Sequence, residues 1–424
     1  MARTLADKIK TACARWPESP AASVAALAGL AANSAGNVDD TLAVLEELIP
    51  RKEWYNRITR KQMPYHVASL DELFFHYAKP ELQTYLKLTE ATMKGPSVSV
   101  QVILRRFMAL TAVQDFAQIE KLLPHISGVI GRNIWNTFTA RPAFYEALAR
   151  ESDDAIAAGL PQVDYVYDEP GDDPLVYLGC DQTYCVEFAA PLIRSIAAFQ
   201  PAAPVHLHVM NATAADVQAT LESLRPCGVR LSISREDLPA ADSADRTVAR
   251  AYFHAVRFVR LHQLMSRRPR DIWMMDVDAL FNRAPRDLFA LRGTADVAFR
   301  ARPGRFELWN QFNASVVGIT PTPRALGYLR LVAAYIAHFH RKNALAWGID
   351  QLAMFGVFNF LQQASQAPTV ALLDNKAVDY DLQTDGIVWC NSGAAKLSAA
   401  AAQDPALARY YEAFNRYADK LAAG

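Results

Sequence analysis

DIWMMDVDALF, residues 271–281, runs four large apolar side chains into two aspartates one residue apart, then turns apolar again. A short unbroken apolar run reads as a strand buried on both faces, as in a parallel sheet. Carboxylates are costly beside such a strand, so Asp276 and Asp278 need a reason to be there. If the chain stays extended, both side chains point to one face. Two carboxylates at that spacing repel unless a cation lies between them, and oxygen ligands suit Mg2+ or Mn2+. The bland alternative is a turn or a helix cap, where Asp is common.

Outward from this strand, strands and helices alternate. LVYLGCD (175–181), VHLHVM (205–210) and VRLSIS (229–234) predict strands. Helices are expected between them over about 185–199 and 213–224, and a long one over about 246–266 leads into DIWMMD. ADVAFR (295–300) and ASVVGI (314–319) follow as strands. Such alternation predicts an α/β domain over 175–400, a Rossmann-like, mostly parallel sheet covered on both faces. Ligands of such sheets bind outside the C-terminal strand ends.

Residues 1–160 read instead as an all-helical domain. TLADKIKTACARW, SVAALAGLAANSA and DDTLAVLEELI repeat apolar residues with a period near 3.6. A helical array offers a surface for a partner or for a second copy of the chain, a homo-oligomer. QVDYVYDEPGDDPL (162–175) is acidic and contains Pro and Gly, so residues 161–174 read as a linker. Residues 401–424 carry a C-terminal amphipathic helix.

The chain has 44 basic and 44 acidic residues, a balance that argues against a nucleic-acid binder. Its five cysteines are odd in number and scattered, which argues against a disulfide framework or zinc knuckle and for reduced thiols. No stretch approaches ~20 uninterrupted apolar residues, so no membrane span is expected. The N-terminus lacks the features of a secretory signal, and a cytoplasmic protein is the expectation.

Further phrases stand in order around the acidic pair: CDQTY (180–184), AYFHAVRFVRLHQLM (251–265), FNASVVG (312–318), GIDQLAMFGVF (348–358) and GAAK (393–396). Together they resemble glycosyltransferase family 8, the glycogenin-like and lipopolysaccharide galactosyltransferase-like retaining enzymes of the GT-A fold, over about 175–400. The resemblance implies a GT-A catalytic domain preceded here by the helical one. It implies that Tyr184 stacks on the base of the donor and Asp181 helps to recognise it. Arg257 would reach the donor's diphosphate or sugar, and Lys396 the departing diphosphate. Asp276 and Asp278 would hold Mn2+ or Mg2+. Asn313, Asp350 and Gln351 would meet the transferred sugar, with Asp350 and Gln351 as the catalytic pair.

The match also departs from the pattern. The family's His three residues before the Gly of G-x-x-K is Cys390 here, and no His follows His340. The third metal ligand is then Cys390, Asn391 or water. Ser315 replaces the Gly of F-N-A-G, and Leu397 and Ser398 replace the Pro-Trp after the Lys.

Each residue has a plain alternative as well. Arg257 reads equally as a solvated helix residue like Arg260, Asn313 as a partner for loop backbone, Asp350 as a helix cap and Tyr184 as a half-buried core aromatic. ARPGRFELWNQ (301–311) reads as a loop over the donor or acceptor, or as plain surface.

The function expected is metal-assisted transfer of a hexose from a nucleotide-diphosphate sugar, UDP-sugar favoured, to a glycan or protein acceptor. The competing expectation is a non-catalytic helical scaffold or binding protein carrying a degenerate GT-A domain.

Overall fold

The computed structural model describes residues 4–15, 113–122, 140–167, 174–238, 246–300, 312–380, 385–390 and 408–418, with isolated positions before 112 and at 382. Most of the expected helical array, residues 168–173, the 301–311 loop, Asn391 and Lys396 lie outside the described residues.

The chain forms two compact units. One comprises Met1–Pro142, Arg302–Phe312 and Asn359–Ser365; the other comprises Ala143–Ala301, Asn313–Phe358 and Gln366–Gly424. In the first, α1 (Leu5–Ala14) opens on a reciprocal cap. Thr4 accepts from the Asp7 amide and Asp7 accepts from that of Thr4, both at 3.2 Å. Ala12, Leu27 and Val44 are buried together, and α2 (Phe116–Leu122) buries Ile119.

In the second unit α3 (Pro142–Ala149) and α4 (Asp153–Ala157) precede the strands. Arg330 and Arg341 of α9 (Pro323–Arg341) fasten them, at 3.1 Å to Asp153 and 2.8 Å to Glu151.

The strands are β1 (Asp164–Tyr167), β2 (Leu175–Asp181), β3 (Pro204–Met210), β4 (Arg230–Glu236), β5 (Ile272–Met275), β6 (Ala279–Phe281), β7 (Val297–Arg300), β8 (Asn313–Ile319), β9 (Val370–Leu373), β10 (Val378–Asp379) and β11 (Val388–Cys390). Eight make one mixed sheet in the order β1-β4-β3-β2-β5-β8-β7-β9. Its centre, β4-β3-β2-β5, is parallel; β8 runs against β5 and β7, and β1 runs against β4. β1 lies inside the stretch read as a linker. Four residues in an acidic context give too short a pattern to stand out, and pairing to the edge of β4 is what makes them a strand.

The central strands are buried on both faces, as unbroken apolar runs require. Val176, Leu178 and Cys180 pack in one core with Leu192, Ile193 and Ile196 of α5 (Ala190–Phe199), with α6 (Ala214–Leu224) beside them. Tyr177 and Gly179 face α7 (Arg246–Arg267) on the other side: Tyr177 Oη donates to the Arg257 carbonyl at 3.4 Å. A Cβ on Gly179 would come within 2.9 Å of the Arg257 Cβ, so a glycine is what lets α7 approach this strand.

A second close approach joins β5 to β8. Trp273 pairs with Gly318, and a Cβ there would lie 2.8 Å from the indole. Gly318→Val is therefore expected to cost about 1–3 kcal/mol or more by overpacking. It should appear as a lower urea midpoint at unchanged slope. An unchanged midpoint would show that the indole yields freely.

After β5 the chain reverses, the Ala279 amide donating to the Asp276 carbonyl at 3.2 Å. It then enters a second, three-stranded sheet, β10-β11-β6, and continues into α8 (Pro285–Arg292). The acidic pair thus stands where the chain leaves one sheet for another.

Candidate functional site

From β2 the chain steps outward through β3 to β4, then crosses back to place β5 on the other side of β2. The connections leaving β2 and β5 therefore diverge, opening a crevice at their C-terminal ends, where open α/β sheets take ligands. Asp181 ends β2 and Asp276 follows β5, so both stand at the C-terminal ends of these neighbouring strands.

The pair Asp276/Asp278 is not extended. The turn gives its two members different neighbours, a correction to the reading that both point one way. Asp276, 21 % exposed at the side chain, accepts from Nη1 of Arg257. Asp278 is buried, and its carbonyl accepts from Tyr410 Oη of α11 (Ala408–Ala418) at 2.7 Å. A hydrogen bond with Cys185, burial, and the charges of Cys185, Asp181 and Asp278 push the Cys180 thiol well up.

Arg257 is the centre of the site. It is buried, and its guanidinium meets Asp276, the Ala314 carbonyl at 3.0 Å and Asp350 at 3.5 Å, while Nε donates to the His254 carbonyl at 2.9 Å. Burial opposes its charge, but the two carboxylates outweigh burial and raise its pKa. The reading of Arg257 as a solvated residue fails, and so does its comparison. Arg260 is also buried, paired with Glu236. Both arginines lie on the face of α7 that covers the sheet.

Asp350 sits in the first turn of α10 (Ile349–Gln363), after Gly348 at φ 80°. It is buried, and it accepts from the Gln351 amide at 2.9 Å. Burial raises its pKa, with Asp276 adding to the rise; Arg257 and the Gln351 amide pull the other way.

At the end of β2, Asp181 caps a short helical turn and accepts from the Tyr184 amide at 2.9 Å. Burial raises its pKa against the pull of the Tyr184 and Thr183 amides. Tyr184 is half-buried, its ring 5.2 Å from Phe188. The chain then widens into a π-helical turn, Cys185–Ala189, a distortion often found at functional sites. Asn313 opens β8, buried, and accepts from the Ser315 amide at 2.7 Å and from Tyr380 Oη. Cys390 is buried and pairs across β11/β6 with Ala279, one residue from Asp278.

The site therefore gathers Arg257, Asp276, Asp350 and Gln351 on the α7 side, with Asp181 and Tyr184 on the α5 side. Three of its residues went unread in the sequence. Gly179 had a signal, being a glycine inside a strand. Gln182 buries Oε1 with no hydrogen-bond partner among the described residues. Tyr410 lies far along the chain; neither it nor Gln182 carried a local signal.

Among the described residues no three His, Cys, Asp or Glu side chains group to hold a metal ion. One oxygen of Asp276 already meets Arg257. Two carboxylates do suffice for a hard divalent ion that takes its remaining ligands from phosphates and water. The described residues form no preformed cage, and an ion here would take most of its ligands from a nucleotide's phosphates and from water.

About half of the chain is similar to several solved glycosyltransferases. Galactosyltransferase LgtC, in complex with donor and acceptor sugar analogs, aligns at 16 % identity and a TM-score of 0.40 over 57 % of this chain and 96 % of its own. The WbbM bifunctional glycosyltransferase aligns at 14 % and 0.36 over 54 % of this chain and 47 % of its own. GlyE of Streptococcus pneumoniae aligns at 14 % and 0.34 over 50 % and 48 %. The chain thus spans less than half the length of the last two. No family model matches the sequence, and no curated protein does.

Proposed function

We propose that the protein is a glycosyltransferase that moves a hexose from a nucleotide-diphosphate sugar to a glycan or protein acceptor, with retention of configuration. One observation carries this: a buried guanidinium, held between Asp276 and Asp350, stands at the switch-point crevice. Such a crevice takes ligands, and a positioned cation there meets an anionic leaving group.

Tyr184 stacks on the base and Asp181 recognises it. Arg257 turns part of its fork to the diphosphate, Lys396 meets the same group, and Asn313 lines the sugar pocket. Asp276 and Asp278 would hold Mn2+ or Mg2+, with Asn391, water or the donor's phosphates supplying the further ligands; Cys390 does not group with the two aspartates. The ion supplies neutralisation of the charge that builds on the diphosphate. Asp350 and Gln351 contact the sugar, and the Asp350 carboxylate faces the positive charge that develops at the anomeric carbon. The bond from that carbon to the phosphate oxygen breaks as a bond to the acceptor oxygen forms on the same face. The acceptor's hydroxyl proton passes to the departing diphosphate.

A second reading draws on the same ion pair. In a degenerate domain Arg257 would simply keep Asp276 closed, and the helical unit would be the working part. Melting temperatures with UDP, GDP or ADP, each with Mn2+ or with chelator, separate the two. Saturation at about 100 Kd stabilises by about 2.7 kcal/mol, and a chain of this size then gains on the order of 5 °C. The enzyme is expected to show that gain with one nucleotide, and only with the metal. No shift from a well-folded sample gives the scaffold.

A further inference from the structure

Trp347 is 59 % exposed, three residues before Asp350. Its ring is held in place all the same. The Arg250 guanidinium lies 4.3 Å from the ring centroid, and His254 meets it edge-on at 4.2 Å. Arg250, His254 and Arg257 share one face of α7, at spacings of four and three. The segment 347–350 therefore straddles that face. Trp347 rests on its first turns, and Asp350 reaches Arg257 a turn further on. A large aromatic left in water contributes little to the fold, yet here it is oriented from two sides beside the reacting cluster.

The sheet decides what such a platform meets. Tyr184 leads into α5, which covers the face of Val176 and Leu178. Trp347 rests on α7, which covers the face of Tyr177 and Gly179. The two aromatics adjoin helices that cover opposite faces of the sheet, so a donor whose base lies on Tyr184 leaves Trp347 for the other substrate. Arg250 is exposed, and no carboxylate of the described residues is seen to pair with it.

We propose that Trp347 is the acceptor platform: a pyranose ring of the acceptor stacks on its exposed face, and an acidic group on that saccharide pairs with Arg250. The identity as acceptor rests on the transferase reading; the saccharide site itself does not.

The test therefore begins without donor. Glucuronate-containing and neutral disaccharides are titrated against the full chain, and the tryptophan fluorescence is compared with that of Trp347→Phe and Trp347→Ala. Wild type and Trp347→Phe are expected to bind the acidic disaccharide, with Trp347→Ala weaker by about tenfold or more, the worth of one desolvated aromatic contact. The quenching should vanish in Trp347→Phe although binding persists. Arg250→Gln is expected to bind acidic and neutral disaccharides alike. UDP affinity with Mn2+, and the release of UDP from UDP-glucose by water, should be unchanged in all three variants.

If wild type binds neither disaccharide, or Trp347→Ala binds as wild type does, the platform is refuted. A tenfold loss of UDP affinity in Trp347→Ala refutes it too, by placing the base there. Saccharide binding with no nucleotide binding in wild type overturns the transferase reading and the acceptor label while leaving the saccharide site.

Discussion

Arg257→Ala is expected to lower glycosyl transfer by about 10²–10³-fold, the usual cost of removing one preorganised donor to developing negative charge. It should also lower stability. Arg257 is the cation that faces both Asp276 and Asp350, and Asp350 is buried. Removing one partner of a buried pair costs about 3–5 kcal/mol because it strands the other charge. Part of that cost is avoided if Asp350 takes up a proton, toward which burial already pushes it.

Arg257→Lys separates the two effects. It restores a charge between the carboxylates but loses the fork that also reaches the Ala314 carbonyl. Most of the melting temperature should return in the lysine variant while most of the rate does not. Activity is read as release of the nucleotide diphosphate that the melting panel selects, from its glucose and galactose conjugates; stability is read by urea titration. If Arg257→Ala turns over as wild type does, the crevice is not the reacting centre.

The order of β2, β3, β4, β5, β7 and β8, with α5, α6 and α7 between the first four, was legible because its signals are local; β1, β6, β9, β10 and β11 were not read. Short runs rich in apolar residues marked β2, β3, β4 and β5, unbroken only in β5, and helical spacing marked α5, α6 and α7. The path between strands was not legible, since nothing local says that β5 returns beside β2. The crevice follows from that return, so its position could be expected only through a general rule.

The acidic pair shows where local reading stops. DVD was recognisable as chemistry at a strand end. Its turn comes from β6 pairing with β11, more than a hundred residues later in the chain. Arg257 and Arg260 look alike in the sequence, and tertiary pairing alone separates them. One meets the site carboxylates and the other meets Glu236. Gly179 and Gly318 were readable in principle as close approaches, but their neighbours, Arg257 and Trp273, are set by packing.

VHLHVM carried a further signal in its alternating histidines, and they predict how the protein responds to acid. His206 and His208 point to the face covered by α7, away from Val205, Leu207 and Val209. His206 meets Ser232 at 2.8 Å and Ser234 at 2.9 Å; His208 meets Ser234 at 2.8 Å and lies 3.7 Å from Glu236, an electrostatic contact. Tyr177 stacks on His206 at 5.7 Å and donates to the Arg257 carbonyl. The ladder is thus the floor beneath the arginine helix.

Burial first, then His208 and the arginines Arg270 and Arg267, push His206 down to about 3. The unfolded chain takes up that proton near pH 6.5, and the folded one does not until about 3. The stability linked to His206 is therefore whole above about pH 6.5 and is lost as pH falls from there toward 3, at up to about 1.4 kcal/mol per unit. His208 is also lowered, chiefly by burial, and adds loss in the same direction.

His206→Gln keeps an amide for the two serines and removes the proton. It should be less stable than wild type at pH 7, with the gap narrowing by about 2 kcal/mol between pH 6.5 and 5. Urea midpoints at pH 7, 6 and 5 measure this. A constant gap would mean that His206 takes up its proton at the same pH folded as unfolded, so that the ladder carries a charge into the floor of the site in mild acid.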